Sequence, residues 1–300
     1  MYESNMTRGL LLAIMAGIIF GTAALFTRSI SGISPIAIAA SRLTLGCLCM
    51  AALIVGQHRM HEVRQVLCTQ ASILFLLGIL SSFHFVLFVL AVQKTSVANA
   101  LILVNTAPIL VLILAPLLLK EAITPVDVLS VGITFIGAGI LIGFDTLRLT
   151  AGHLIGDLCA LGSALCYAIY VIVARKLRQR YSASVIMGWF FGLGAVFLWL
   201  GGIVLRDSFF TNPTRLSWLF LILLGVLPTG IGHFSYNLSL KYLPAARAST
   251  IILLEPVSGT MLAWIVFREV PPILSGIGML TVLVGIGMTS FLKNHQSSQP

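Results

Sequence analysis

The feature that most constrains this chain is a series of apolar runs, most of them about 20 residues long, that follow one another along the sequence. A helix of this length crosses the hydrocarbon core of a bilayer, which is about 30 Å thick. Hydrophobic residues make up 58% of the chain and charged residues 9%, whereas a soluble globular domain has about 25% charged residues. We therefore predict an integral membrane protein. The predicted spans cover residues 9–27, 35–56, 72–92, 97–119, 127–144, 156–174, 183–205, 217–240, 245–267 and 272–292.

The predicted fold is all-α, with ten transmembrane helices. Breaker pairs such as Ser34-Pro35, Thr124-Pro125, Asn212-Pro213 and Pro271-Pro272 separate the runs, as expected of helix boundaries. An open sheet could not satisfy its backbone hydrogen bonds in lipid, so strands are not expected. The short connections leave no room for a soluble catalytic domain.

The two halves of the chain resemble each other. An offset of 148 places Pro108 on Pro256, Glu121 on Glu269 and Gly137 on Gly285. We predict two five-helix units, at residues 8–145 and 153–292. Because five is odd, the second unit enters the membrane from the opposite side, so the repeats are expected to be inverted.

The distribution of Lys and Arg predicts the orientation. The face that holds both termini collects 11 of these residues, the other face has 6, and Arg42 falls within a span. Cytoplasmic loops usually carry the excess of Lys and Arg, so we predict that both termini lie in the cytoplasm. The predicted location is the cell membrane, which in bacteria is the inner membrane. The net charge of +9 does not indicate nucleic acid, because these residues do not form one basic surface. We expect no metal and no cofactor, since no ligand spacing or nucleotide-binding motif is present.

Glu255 is the clearest candidate for a functional site. It lies near the middle of the ninth predicted span and precedes Pro256, which deprives the carbonyl of Ile252 of its helical partner. Ionisable groups within spans usually belong to a substrate or ion pathway. An ammonium group or a proton could bind there, and burial in a medium of low polarity disfavours a charge, which makes Glu255 a candidate for proton coupling. The alternative is a kink residue whose protonated carboxyl bonds a neighbouring helix.

Polar side chains on three other spans predict the lining of a cavity. His233, Tyr236 and Asn237 share one face of the eighth span, at spacings of three and four. His84 lies on the third span, and Tyr167 and Tyr170 lie on the sixth. A single histidine such as His84 also fits a structural hydrogen bond to another helix.

The fourth span offers Asn99 and Thr106, which are seven residues apart and therefore nearly eclipsed. Pro108 occupies the repeat position of Pro256, and we predict that both prolines act as helix hinges near the midplane, where such folds bind substrate. Arg42 lies about two turns after the Ser34-Pro35 break. We interpret it as a side chain that snorkels to the interface or forms a structural ion pair.

The chain resembles the EamA family of the drug/metabolite transporter superfamily. The similarity rests on the segment 85–100 with Pro108 and Glu121, and on the segment 236–248 with the Leu254-Glu255-Pro256-Val257 motif and Glu269. Arg42 also looks like an arginine that recurs in the family. The resemblance implies two EamA-type repeats, a central cavity and alternating access for small organic solutes, often in the export of amino acids or related metabolites.

We therefore expect a secondary transporter rather than an enzyme, with a small-molecule substrate bound by His84, Asn99, Thr106, Tyr167, Tyr170, His233, Tyr236, Asn237 and Glu255. The alternatives are an uptake permease for a nucleoside-like or sugar-like solute, a membrane-embedded enzyme, and a channel or structural subunit. An enzyme would need convergent catalytic groups, whereas Asp127, Asp145, Asp157 and Asp207 lie near span ends. Carriers with different cargo share these motifs, so the resemblance names no single substrate and no oligomeric state.

Overall fold

The computed structural model describes residues 2–143, 152–267 and 272–291, and in this part of the chain the regular structure is helical. One isolated antiparallel bridge joins Ile33 to Phe210. The prediction of an all-α protein is confirmed. The helices are α1 (Tyr2–Phe20), α2 (Thr22–Ser29), α3 (Pro35–Gly56), α4 (Met60–Lys94), α5 (Val97–Val104), α6 (Ala107–Leu119), α7 (Pro125–Ile142), α8 (Leu154–Leu177), α9 (Ala183–Val204), α10 (Arg215–Leu224), a π-helical segment (Gly225–Gly232), α11 (His233–Ser239), α12 (Ala245–Ile252), α13 (Glu255–Phe267) and α14 (Ile273–Phe291).

Eight helical stretches within the described residues are long and apolar enough to cross a membrane. Large apolar side chains cover their outer surfaces; Val204, for example, is 80% exposed and Leu117 is 70% exposed. Soluble monomers rarely expose extended apolar surface, and a bilayer would cover it. The ninth predicted span is divided into α12 and α13, and the tenth corresponds to α14. The chain is therefore a multi-pass membrane protein, while the total of ten spans stays a prediction.

Most of the predicted breaker pairs lie where helices begin. Ser34 accepts a hydrogen bond from the Ala37 amide at 3.1 Å, and Pro35 follows it at the first helical position. Thr124 forms a capping box with Asp127 ahead of α7. These residues satisfy amides that the first helical turn leaves unpaired. Pro271 lies outside the described residues, as do Asp145, Arg148, Arg268, Glu269, Leu292 and Lys293, so part of the predicted repeat and both predicted unit ends have no structural counterpart here.

The third predicted span is longer in the structure than in the prediction. It begins at Met60 instead of residue 72 and continues to Lys94, with a non-helical Gln70 where two helices join. The segment before Gln70 is more polar than the segment after it, so hydropathy alone assigned it to a loop.

Two interrupted helices have matching positions in the two halves. The bounds of α12 and the first residue of α13 lie 148 residues after those of α5 and α6 (97 to 245, 104 to 252 and 107 to 255). In both cases the break comes just before a proline, at Pro108 or Pro256. A proline has no amide hydrogen and its ring clashes with the preceding turn, which explains both interruptions.

Small residues allow the helices on either side of the second break to approach each other. A Cβ atom on Gly21, between α1 and α2, would lie 2.9 Å from the Glu255 carbonyl oxygen and 2.5 Å from the Gly259 nitrogen. A Cβ atom on Gly17 would lie 3.1 Å from the Ile251 carbonyl oxygen. Gly17 and Gly21 thus pack against α12 and α13, as expected in lipid, where close backbone contact drives association.

Candidate functional site

The helix breaks border a small central cavity within the bundle. The centre of a water molecule can occupy a volume of about 50 Å³ in this cavity, which is enough for a few water molecules. The lining combines aromatic and aliphatic side chains with a few polar and charged ones, as is typical of small-molecule sites. It consists of Phe20, Ala23, Arg42, His84, Phe88, Val104, Asn105, Ala107, Pro108, Tyr167, His233, Ile252 and Glu255.

Glu255 lies at the first position of α13, directly after the interrupted turn. Its side chain is buried, and its carboxylate has no hydrogen-bond partner among the described residues. A second cavity of about 340 Å³ adjoins it, lined by residues such as Leu25, Val97 and Ile142. Glu255 is the one described residue that lines both cavities. The interrupted helix thus presents a carboxylate between them.

Arg42 does not snorkel to the membrane interface. It is 2% exposed, and its Nε donates a hydrogen bond to Thr229 Oγ1 at 2.9 Å. Its Cζ lies 4.6 Å from the centroid of the Phe85 ring. Arg42 lines the same cavity as Glu255 without forming an ion pair with it. The interpretation as a snorkelling residue is therefore wrong, because α3 turns Arg42 towards the cavity and away from lipid. In the described part of the chain Arg42 forms no ion pair within 4 Å.

His84 is oriented by a single residue of α8. The Ser163 hydroxyl donates to the His84 carbonyl oxygen at 3.0 Å and lies 2.9 Å from His84 Nδ1. Nδ1 is also 3.1 Å from the Ser163 carbonyl oxygen. A proton on Nδ1 suits these acceptors, which leaves Nε2 of the ring as an acceptor.

His233 lies among aromatic rings at the start of α11. Its ring centroid is 4.7 Å from that of Phe20, 5.1 Å from that of Phe85 and 6.1 Å from that of His84. His233 Nδ1 is buried and has no hydrogen-bond partner in the described part of the chain. The two histidines therefore lie together on the cavity wall.

Three of the predicted binding residues lie behind this wall. Tyr236 stacks on Tyr167, with centroids 5.9 Å apart. Asn237 donates to the Tyr170 hydroxyl at 3.2 Å, and that hydroxyl donates to Met187 Sδ at 3.4 Å. Tyr167 lines the cavity, whereas Tyr170, Tyr236 and Asn237 are not part of its lining.

The residues predicted on the fourth span are divided by its break. Asn99 lies in α5 and donates to Asp157 Oδ1 at 3.2 Å, near one membrane face. The Thr106 hydroxyl donates to the Leu103 carbonyl oxygen at 2.7 Å. Neither residue is part of the cavity lining. Asn105, which lies in the break, lines it instead, with Pro108 beside it.

The lining also includes Phe20, Phe88 and Asn105, which were not predicted as site residues. Phe20 ends α1 at the Gly21 interruption, and Phe88 lies one turn after His84. The spacing of Phe88 from His84 placed both on one face of the helix. The closeness of Phe20 to His233 depends on packing between residues more than 200 positions apart.

The two ends of the bundle differ in how they are closed. At one end, which we call the Arg28 face, Arg28 Nη1 donates to the Val92 carbonyl oxygen at 2.7 Å and Thr95 Oγ1 donates to Asp157 Oδ1 at 2.8 Å. The second cavity lies towards this face, since Val97 lies two residues after Thr95 and Leu25 lies three residues before Arg28.

Ion pairs join the two halves at the opposite end, which we call the Arg175 face. Arg175 Nε lies 2.6 Å from Glu121 Oε1, and Glu121 Oε2 accepts from the Ala245 amide at 2.9 Å. Arg247 Nε lies 2.9 Å from Asp127 Oδ1. These pairs join the ends of α6 and α7 to α8 and α12.

Comparisons with known proteins agree with this architecture. The chain is 27% identical over 276 residues to an uncharacterized transporter of Archaeoglobus fulgidus, covering 91% of this chain and 93% of that protein. It is 25% identical over 239 residues to the uncharacterized transporter YxxF of Bacillus subtilis, covering 78% and 73% of the two chains.

A crystal structure with 20% sequence identity superposes with a TM-score of 0.81, covering 96% of this chain and 99% of that one. At this identity the match indicates a shared fold. The model of the EamA-like transporter family matches residues 7–143 and, a second time, residues 154–291. The chain therefore belongs to the EamA-like transporter family, as its resemblance predicted.

Proposed function

We propose that this protein is a secondary transporter that moves a small organic metabolite, an amino acid or a related compound, out of the cytoplasm by alternating access. The observation that carries the proposal is the position of Glu255, a buried carboxylate that lines both cavities at the break of an interrupted helix. In transporters, discontinuous helices place binding groups near the midplane in this way. Glu255 would bind the ammonium group of the solute.

We further propose ten spans in two inverted five-helix repeats, at residues 8–145 and 153–292. The two matches of the family model and the equivalent helix bounds around Pro108 and Pro256 support this arrangement. Movement of one repeat against the other would occur around the two breaks, where the prolines weaken the helical hydrogen bonds.

Alternating access requires one end of the path to be closed while the other is open. The ion pairs that join the two halves at the Arg175 face support a state that is closed at this face. We propose, from the excess of Lys and Arg, that the Arg175 face lies in the cytoplasm with both termini. This state would then be the one that releases an exported solute.

Uptake into proteoliposomes tests the proposal. A panel of radiolabelled amino acids, nucleosides and sugars should show saturable flux for at least one amino acid. Saturable flux of only a nucleoside or a sugar would support the uptake permease instead, and conductance that rises linearly with solute would indicate a channel.

Glu255→Gln tests the part played by the carboxylate. This variant keeps the size of the side chain and removes its charge, so we expect amino acid flux to fall by about 10-fold or more. If Glu255 also carries a coupling proton, a pH gradient should drive flux in the unmodified protein and fail to do so in the variant. Unchanged flux in Glu255→Gln, with and without the gradient, would contradict both roles.

A further inference from the structure

The Arg42 guanidinium is, after the Glu255 carboxylate, the second charged group of the cavity that could bind a ligand. Arginine has five N–H donors, and the Nε–H bond to Thr229 is the one hydrogen bond that Arg42 makes among the described residues through its side chain. The four donors on Nη1 and Nη2 remain, on a side chain that is 2% exposed and lines the cavity. Glu255 attracts the charge of Arg42, but no carboxylate of the described residues lies within 4 Å of the guanidinium. A buried charge with unused donors is costly, which implies a partner during function.

The surroundings hold the guanidinium in one orientation. Its Cζ lies 4.6 Å from the centroid of the Phe85 ring and 5.7 Å from that of Phe88, on the two aromatic faces that it contacts. Cation–π contact of this kind favours the planar guanidinium. The Nη atoms therefore form a fork that is positioned before a ligand binds.

Thr229 fixes the remaining side of the guanidinium. It lies in the π-helical segment Gly225–Gly232, and its hydroxyl donates to the Leu224 carbonyl oxygen at 2.8 Å. With its hydrogen used in this way, Thr229 Oγ1 has a lone pair left to accept from Arg42 Nε. Short π-helical segments occur frequently at functional sites, and here the segment brings Thr229 to Arg42.

We propose that Arg42, positioned by Thr229, binds the carboxylate of the transported solute while Glu255 binds its ammonium group, so that the cavity selects zwitterions. This inference rests on the proposed function and specifies its substrate class. The two side chains carry opposite charges, line one cavity and do not pair with each other. A planar carboxylate accepts two parallel hydrogen bonds from the Nη fork.

Three matched probes separate the roles of the two residues. L-Leucine carries both charges, leucinamide lacks the carboxylate and 4-methylpentanoate lacks the ammonium group. Binding to the purified full chain should be tightest for L-leucine, by about 10- to 100-fold over each of the other two, because each lacks one charged contact.

Substitution of Arg42 should remove the preference for L-leucine over leucinamide and leave the preference for L-leucine over 4-methylpentanoate. In Arg42→Gln we expect L-leucine and leucinamide to bind within about 3-fold of each other, while 4-methylpentanoate still binds more weakly than L-leucine. In Glu255→Gln we expect L-leucine and 4-methylpentanoate to bind within about 3-fold of each other, while leucinamide still binds more weakly than L-leucine. Thr229→Val, which keeps Arg42 and loses only its positioning bond, should reduce the preference over leucinamide about 5-fold.

The matched control is Arg28→Gln, the same substitution at the Arg28 face, which should leave both preferences unchanged. An Arg42→Gln protein that elutes as unmodified protein from a sizing column and keeps its preference for L-leucine over leucinamide would overturn the inference. If Arg42→Gln does not fold, an unchanged preference in Thr229→Val would overturn the positioning role.

The inference and the proposed function can fail separately. If the unmodified protein binds none of L-leucine, L-alanine and L-phenylalanine but transports a sugar or a nucleoside, the zwitterion site is wrong while a transporter remains. If Glu255→Gln abolishes amino acid flux and Arg42→Gln does not change the ratio between L-leucine and leucinamide, the proposed function stands without the carboxylate contact.

Discussion

At the scale of single residues, the site depends on polar side chains that are held by one or two partners each. His84 is the clearest example, because Ser163 contacts both its ring and its carbonyl oxygen. Ring orientation is thereby coupled to the distance between α4 and α8. The proposed solute-binding residue and the residue that orients it lie on different helices.

Ser163→Ala should weaken solute binding without unfolding the protein. The variant removes the hydroxyl that helps orient His84, and the loss of a hydrogen bond of about 1 kcal/mol corresponds to about a 5-fold rise in Kd for L-leucine. Calorimetric titration of the purified protein measures this change. Ser249→Ala is the matched control, because its buried hydroxyl bonds only to carbonyl oxygens of α12. An equal change in both variants would argue against the orienting role.

At the scale of elements, interrupted helices and close backbone contacts determine where the cavity forms. The break between α12 and α13 faces the Gly21 interruption between α1 and α2. A side chain at residue 21 would occupy the space that the Glu255 carbonyl oxygen and Gly259 now fill. The absence of a Cβ atom therefore brings α1 and α2 close enough to line the cavity through Phe20 and Ala23.

Gly21→Ala should destabilise the protein by about 1–3 kcal/mol, because the added methyl group would force the backbones of α2 and α13 apart. Thermal unfolding in detergent measures the effect as a lower midpoint. Gly132→Ala in α7 is the control: no atom lies within 4 Å of its Cβ position, and alanine is the better helix former. The measured midpoints should therefore change in opposite directions, and similar midpoints for the two variants would contradict this account.

At the scale of the whole molecule, the two halves meet around the central cavity, which is the proposed solute site, and in a layer of ion pairs at the Arg175 face. Glu121 and Asp127 come from the first half, and Arg175 and Arg247 come from the second. Ion pairs between units that move against each other favour the state in which they form. The free energy of this layer thus contributes to the balance between the two access states.

Glu121→Gln should shift the protein towards the state that is open at the Arg175 face. It weakens the contact with Arg175, in which the two side chains are 19% and 16% exposed, and a loss of about 1.5 kcal/mol changes the population ratio about 10-fold. The measurement is labelling of a cysteine placed at Asn105, with reagent added from the Arg175 face. Arg59→Gln is the control, because Arg59 pairs with Glu62 within the same helix. Equal labelling in both variants would exclude a gating role.

Much of this architecture follows from local sequence. Runs of apolar residues predicted the helices, prolines predicted the breaks at residues 108 and 256, and a carboxylate amid apolar neighbours identified Glu255. These features depend on hydrogen bonds within one helix and on transfer of side chains into lipid, so a short segment contains the information that determines them.

The partners of the polar residues depended on the tertiary structure alone. Arg42 reaches Thr229, Asn99 reaches Asp157, and Glu121 reaches Arg175. Helical periodicity indicates which residues share a face, but the helix that the face meets is decided by packing between segments about 50 to 190 residues apart. A buried charge is stable only with a suitable neighbour, and that neighbour is known only once the helices are packed.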